Sequence, residues 1–450
     1  MVKAEKLMKK DGSNPMAYPN AESRSAEIFT RAQRVLTDGG SRTTIRIAPY
    51  SIYAAKAQGK YVTDVDGNEL FDLNYNYTAM IHGHSHPAIV EAVKRQLENG
   101  TGYSFGSEAE FALAELICDR CDNFDKIRFM NSGTEAVMKA IKAARAYTGK
   151  AKIAKCENSY HGSYDFAEVS LGVEPTDLSK GDPISRPYSY GTPQGVLDDV
   201  VVIPFNDVSN SRRILQENSD ELAAVLFDPI GANLARVSPT DEYLAMLQEF
   251  CDQHDALLIA DEVIAFRAGM TGIQGDRNIR ADLTTLGKII GGGFPVGAVA
   301  GRADVMAVFE AREAKAKAPH GGTFNANPVT MVAGHAAMQM LTKEAFDELN
   351  SLGDAFRKGI QEVLDLTSSE GIAEGQYSIF ALTTTDPDLE DSGTRGHVYQ
   401  SSGLHQYMVQ HGYWLTPGMV GVLCTLMDSA DVDPFCETLR AGILELKERA

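Results

Sequence analysis

The chain has 450 residues, 44% of them hydrophobic and 23% charged, with a net charge of −19. That composition belongs to a soluble globular protein with enough core to fold without disulfide or metal staples, and the length exceeds one ordinary domain. The acidic balance excludes a broad polyanion-binding face, hence a nucleic-acid partner, and leaves room only for a small basic pocket.

Met1 to Asn14 is polar and lysine-rich, unlike a secretory leader, and no run of about eighteen apolar residues occurs to span a membrane. Six cysteines at irregular spacing suit a reducing compartment, so a cytoplasmic protein is expected. Cys118 and Cys121 form a Cys-x-x-Cys pair inside a helical-looking run, with no second pair to complete a zinc site. No metal site is expected.

Residues 1–20 read as a mobile arm, followed by a helix over Ala21 to Thr37 that stops at Gly39-Gly40. Ser51 to Leu73 alternates in two arms around Asp66-Gly67, the signal of a type I′ hairpin. His82, His84 and His86 alternate before Pro87, where a helix to Asn99 begins, and are expected to form a structural loop. Helix is expected again over Ala112 to Cys121. Short apolar strands at Lys126 to Met130, Lys152 to Cys156, Val200 to Ile203, Leu222 to Phe227, Ala256 to Ala260, Leu283 to Leu286 and Val296 to Ala300 then alternate with helices such as Ala136 to Tyr147 and Asp241 to His254. This is the texture of a parallel α/β sheet with ligands at the carboxyl ends of its strands. The long loop Gly172 to Gly195 suits a lid or interface segment. After Asn327-Pro328 come two long helices (Val329 to Leu341, Ala345 to Leu366), strand-like pieces at Tyr377 to Thr383 and Val420 to Leu426, and a last helix from Val432. These predict a smaller α+β lobe. The loop Thr384 to Arg395 is polar and expected to be exposed.

Five stretches carry chemistry. Asn131-Ser132-Gly133-Thr134-Glu135-Ala136 stands between a strand and a helix, where free N–H groups and hydroxyls hold phosphate; Ser-x-x-Glu is equally an ordinary capping box. Ser159-Tyr160-His161-Gly162 offers an aromatic face and a donor just past a strand. Asp261-Glu262-Val263 ends an apolar strand, where a carboxylate needs a positive partner such as a protonated pyridine nitrogen. Lys288 stands between an apolar run and Gly291-Gly292-Gly293. Desolvation makes such an amine a nucleophile fit for a Schiff base, and the alternative is a surface lysine before a flexible loop. Gly321-Gly322-Thr323-Phe324 is a glycine-flanked hydroxyl. Together they fit one ligand, pyridoxal phosphate.

In their order the motifs Asn-Ser-Gly-Thr-Glu-Ala, Tyr-His-Gly, Asp-Glu-Val, Leu-Gly-Lys-Ile-Ile-Gly-Gly-Gly and Gly-Thr-Phe resemble those of class III (ω-type) aminotransferases, from about residue 25 to the C-terminus. The resemblance implies the aspartate-aminotransferase-like fold. A large domain (76–328) holds a mostly parallel seven-stranded sheet, and residues 1–75 and 329–450 form the N-terminal arm and a smaller α+β domain. It implies Lys288 as the Schiff-base lysine and proton carrier, and Asp261 on the pyridine nitrogen. Val263 and Tyr160 sandwich the ring, with His161 beside it; Ser132, Gly133 and Thr134 bind phosphate; Asn233 lies near the ring hydroxyl. Thr323 reaches the neighbouring subunit's phosphate in a homodimer, and Glu135 lies at the interface or behind the site. The partners implied are a small amine or amino acid donor and a keto acid acceptor.

Two branches of the family compete. Gly39-Gly40, His84-x-His86-Pro87 and Leu286 to Gly293 resemble glutamate-1-semialdehyde aminomutase. Asn76 to Ala79 and the short Asp261 to Arg267 segment resemble β-amino acid transaminases, such as β-phenylalanine aminotransferase, and this branch is favoured. It implies Arg42, with Arg46 as a rival, for the substrate carboxylate and a pocket lined by Tyr75 and Tyr77. Two departures from the family pattern stand out: no arginine in Leu415 to Val420, and Asp228-Pro229 in place of Glu-Pro.

Overall fold

Strand and helix alternate because short runs of β-branched and aliphatic residues, buried on both faces, are separated by amphipathic helices. The computed structural model describes residues 16–231, 236–311, 315–385, 389 and 403–449. These divide into two compact units: residues up to Tyr77, His82–His86 and residues from Leu349 on form one, while Thr78–Ile81 and Pro87–Glu348 form the other.

The larger unit is built on a seven-stranded sheet: β4 (Lys126–Met130), β5 (Lys152–Cys156), β6 (Val200–Ile203), β7 (Leu222–Phe227), β8 (Leu257–Asp261), β9 (Leu283–Gly287) and β10 (Gly297–Gly301). Their order is β4-β10-β9-β8-β7-β5-β6. The β5–β6, β5–β7, β7–β8 and β8–β9 pairs are parallel, and β10 runs antiparallel to both its neighbours. All six residues of β7 are buried. Helix α4 (Gly133–Thr148) covers one face, with Ala136, Ala140 and Ala144 packed near Ile153, Leu226 and Ile259. Helices α5 (Val208–Glu217) and α6 (Asp241–Gln253) cover the other, over Ala154, Val225 and Leu258. Residue alternation along a strand therefore puts Lys155, Asp228 and Asp261 on the α4 face. Helices α2 (Pro87–Glu98), α3 (Glu108–Cys118) and α7 (Pro328–Met340) complete this unit. It extends past Pro328 to Glu348, beyond the boundary expected after residue 328, because α7 buries Ala333 and Ala337 against Ile89 of α2.

The smaller unit holds α1 (Arg24–Ala32), β1 (Ala54–Gln58), β2 (Tyr61–Asp64), β3 (Glu69–Asp72), β11 (Gly371–Glu374), β12 (Ile379–Thr384), β13 (Tyr413–Trp414) and β14 (Val420–Val422). It also holds α9 (Gly403–Gln410) and α10 (Val432–Arg449), while α8 (Lys343–Leu366) begins in the larger unit. Several expectations are corrected here. Residues 16–20 are not a mobile arm: Met16 and Tyr18 are buried, and the Tyr18 hydroxyl donates to Tyr50 O at 2.6 Å. The two-armed hairpin is a three-stranded meander. Its turn is not type I′: Gly67 has φ +87° and Asp66 is not among the positive-φ residues, since the Asp64 carboxylate takes the N–H groups of Asp66 (2.9 Å) and Asn68 (2.7 Å). The histidine loop is structural, with His84 on Asp72 at 2.7 Å and His82 on Thr425 at 2.9 Å. Most of the polar loop after Thr384 lies outside the described residues. Among the described residues no helix is long and apolar enough to cross a membrane, and no group of three or more His, Cys, Asp or Glu could hold a metal.

Candidate active site

Three adjacent parallel strands deliver the central groups. The register pairs Phe227 with Ala260 and Asp261 with Thr285, so Asp228, Asp261 and Thr285 leave the sheet side by side. Asp261 is the last residue of β8 and is buried. Its Oδ1 accepts from Thr285 Oγ1 (2.9 Å) and Val263 N–H (3.2 Å), and its Oδ2 lies 2.8 Å from His161 Nδ1. Burial alone would raise this carboxyl; the His161 and Thr285 contacts outweigh it and hold the group below the usual carboxylate range. His161 is buried and its pKa is pushed down, first by burial and despite Asp261. A neutral ring therefore donates Nδ1–H to Asp261.

Lys288 follows β9 directly, with φ +49°. A left-handed non-glycine residue is uncommon and marks a conformation that the surroundings impose. Burial lowers its amine pKa, Asp261 and Asp228 oppose this, and Arg267 adds to it, with a net downward shift. The glycines behind it serve packing rather than ligand approach. A Cβ on Gly292 would stand 2.3 Å from Ala333 O, and one on Gly291 2.6 Å from Val296 Cγ1.

The phosphate-cradle segment is the capped N-terminus of α4. Ser132 Oγ accepts from Glu135 N–H (3.1 Å), and Glu135 Oε2 accepts from Asn131 N–H (2.8 Å). Thr134 Oγ1 accepts from Ser163 N–H at 3.1 Å. The cap is not the reciprocal box, since Glu135 takes the N–H of Asn131 rather than of Ser132; it uses the Glu135 N–H and leaves the earlier first-turn N–H groups and the Ser132 O–H as donors suited to an anion. Close packing fixes it. A Cβ on Gly133 would meet Val263 Cγ1 at 2.9 Å, and one on Gly162 would meet Thr134 Oγ1 at 2.6 Å.

Tyr160 is 59% exposed. The turn before it is braced by the long loop: Glu157 accepts from Thr176 N–H (2.9 Å) and Oγ1 (2.6 Å), and Asn158 Nδ2 donates to Val173 O (2.9 Å). Thr323 and Phe324 are exposed, on a loop held by Asn325 to Asn131 (2.8 Å) and by Arg128 Nε to His320 Nδ1 (2.8 Å).

The fold thus gathers Ser132, Gly133, Thr134, His161, Asp261, Val263 and Lys288 in the larger unit. Asn233 lies outside the described residues. Arg42, Tyr75 and Tyr77 belong to the smaller unit. Tyr75 has no exposed surface, so it is corrected from a pocket-lining residue to a core residue of that unit. Arg42 Nη1 donates to Asn76 Oδ1 at 2.7 Å and the guanidinium lies 5.8 Å from the Tyr77 ring. Arg46 is paired with Asp38 at 2.6 Å.

The class III aminotransferase family model matches residues 46–374. The chain belongs to the class III aminotransferases. This class III aminotransferase is 38% identical, over 80% of its length and 81% of the relative's, to a glutamate-1-semialdehyde 2,1-aminomutase of Methanothrix thermoacetophila. Among solved structures it resembles an omega-transaminase from Sphaerobacter thermophilus: TM-score 0.90, 44% identity, 96% of this chain and 99% of that one. It also resembles a β-phenylalanine aminotransferase from Variovorax paradoxus, with TM-score 0.82, 29% identity and 95% of each chain covered. The family works with pyridoxal phosphate. The donor set here fits that group: an anion-binding helix terminus, a carboxylate held ionised, and an amine whose pKa is lowered.

Sequence reasoning missed four partners. Thr285 was legible as the residue level with Asp261 one strand over. Lys155 is fully buried, with Nζ donating to Val169 O (2.7 Å) and Cys156 O (3.1 Å); a lysine inside an apolar strand was the signal. Glu262 and Arg267 are fully buried too, and no sequence signal separates them from surface charges.

Proposed function

We propose that the enzyme is a transaminase moving an amino group from an amine or β-amino acid to a keto acid. The observation that carries amine chemistry is Lys288, left-handed at the end of β9, with its pKa lowered first by burial and the Asp261 carboxylate acting on it; burial and Asp261 push the Asp228 carboxyl well up. Pyridoxal phosphate, when bound, supplies an electrophilic carbonyl and an electron-withdrawing ring. Lys288 holds and returns the proton at the substrate carbon. Asp261, fixed by His161 and Thr285, presents an anion for the ring nitrogen. Ser132, Gly133 and Thr134 take the phosphate; Val263 and Tyr160 flank the ring, and Asn233 serves the ring hydroxyl.

Arg42 is the carboxylate binder in this reading, with Tyr77 beside it. Arg42 is exposed and, among the described residues, meets only the neutral groups Asn76 and Tyr77, whereas Arg46 is paired with the Asp38 carboxylate and lies 6.0 Å from the Phe29 ring. The 44% identity to the omega-transaminase over nearly the whole chain supports transamination. The aminomutase relatives favour a second reading, intramolecular amino transfer within one substrate. A donor–acceptor panel decides between them. Transamination requires conversion that depends on an added keto acid. Conversion of glutamate-1-semialdehyde without any acceptor would establish the aminomutase instead.

We also propose a cytoplasmic homodimer with shared sites, in which Thr323 reaches the partner's phosphate. Phe105 at 87%, Phe111 at 65% and Phe324 at 68% exposure are apolar surface that a second copy would cover. Light scattering that returns the monomer mass would remove this.

A further inference from the structure

Arg267 is a fully buried arginine four residues after Val263, on the turn Ala265–Ala268 that follows β8. Taking a guanidinium out of water is costly, so burial of this kind is weak evidence for stability and asks for another reason. Two observations supply one. Its Nη1 donates to Thr78 O at 3.1 Å. Thr78 closes a run of four consecutive left-handed residues, Tyr75 (φ 45°), Asn76 (53°), Tyr77 (53°) and Thr78 (77°). Left-handed conformations are unfavourable for residues with a Cβ, and β-branched Thr78 is the least suited of the four. The run persists because its ends are tied. Asp72 Oδ1 takes Asn74 N–H (2.8 Å) and Tyr75 N–H (3.0 Å), Asn74 Oδ1 takes Tyr77 N–H (2.7 Å), and Arg267 holds the far end.

We infer that Arg267 is a positioning residue: from the turn after β8 its buried guanidinium pins the Thr78 carbonyl that ends the left-handed run. The Arg267 charge also adds to the burial that lowers the Lys288 amine, against Asp261 and Asp228, of which Asp228 is itself pushed well up by burial and by Asp261. Arginine suits the task because its planar fork presents several donors and stays charged across the working range.

The test compares amide exchange of residues 74–80 in full-length, cofactor-free Arg267→Met and Arg267→Lys with the wild type, so it does not depend on the proposed function. Freeing the Thr78 carbonyl should speed exchange there about tenfold in the Met variant while exchange elsewhere stays as in the wild type, and Arg267→Lys, which keeps a donor, should bring it back toward the wild-type rate. Unchanged exchange at 74–80 in the Met variant overturns the inference, as does an acceleration spread evenly over the chain. Should the Met variant fail to fold, Arg267→Gln, an uncharged and shorter donor, takes its place: wild-type exchange at 74–80 overturns the inference, and faster exchange confined there supports it.

Discussion

The strand ends of the larger unit and the segments 38–46 and 74–77 of the smaller unit solve opposite problems. At the strand ends, Asp261 is buried and each carboxylate oxygen has a partner, so its protonation state is set before any ligand arrives. In the smaller unit, Arg42 is exposed and its Nη1 donates to the side chain of Asn76, itself exposed and left-handed. The first region fixes a charge; the second holds a cation against a left-handed turn. On the proposed function, reaction type is built into sheet register and substrate choice into irregular backbone.

The sharpest way to break this contrast is at its rigid side. Lys288→Ala should lower turnover on the order of 10⁴-fold, while the capped α4 terminus still binds cofactor non-covalently. Single-turnover kinetics together with equilibrium dialysis of the cofactor checks both halves. Retained turnover with any active donor would show that the proton is carried elsewhere.

Glu262 tests the same region through stability. Burial raises its carboxyl to about 7, against the N–H groups of Ile273 (3.1 Å) and Gln274 (3.2 Å) that favour the anion. A folded pKa above the unfolded value means the contribution is fully present below the unfolded pKa and is lost as pH rises toward and through 7. Wild-type stability should therefore fall by up to about 3 kcal/mol from pH 4.5 to pH 8 through this group. Glu262→Gln should remove that fall and leave the rest of the pH dependence in place. Urea unfolding at pH 5 and pH 8 measures the difference; parallel losses in both proteins would mean Glu262 stays ionised throughout.

The same division explains what could be read from the chain. Lys126–Met130, Lys152–Cys156, Val200–Ile203 and Leu222–Phe227 are strands with the expected bounds, because apolar runs flanked by polar or turn residues leave the boundary little freedom. Lys288, Asp261 and the Ser132 cap stand at the strand and helix ends where the apolar runs of the sequence place them. The left-handed run at Tyr75 to Thr78 was not legible. Its conformation comes from Asp72, Asn74 and Arg267, one of them far off in sequence, and no local propensity favours it. Nor was the three-stranded meander, since Gly59-Lys60 turns the chain between β1 and β2 where no strong turn pair stands. The larger unit runs on past residue 328 to Glu348 because α7 has a buried apolar side, a fact about its partners rather than its own composition.

On the variable side, Arg42→Ala should raise KM for carboxylate-bearing donors about tenfold to a hundredfold, as loss of a charge-assisted contact does. Turnover at saturation should change little, and a donor amine without a carboxylate should not notice the change. Steady-state kinetics with a β-amino acid and its decarboxylated analogue separates these outcomes. An equal rise for both donors would mean that Arg42 shapes the turn through Asn76 and Tyr77 rather than binding charge.

The smallest effect is expected four residues further on. Arg46 and Asp38 are 31% and 36% exposed at 2.6 Å, a geometry in which solvent screens most of the Coulomb gain, and the Phe29 ring at 6.0 Å is at the limit of a cation–π contact. Arg46→Ala should therefore cost no more than about 1 kcal/mol of stability and leave KM for carboxylate donors where it was. That small result has a use. Both arginines stand before Ala48-Pro49, and sequence alone does not choose between them. If KM moves with Arg46 and not with Arg42, the Asp38 pair must open to admit substrate. Selection would then belong to an ion pair that exchanges partners, and added salt, which weakens the pair before binding, should lower KM rather than raise it.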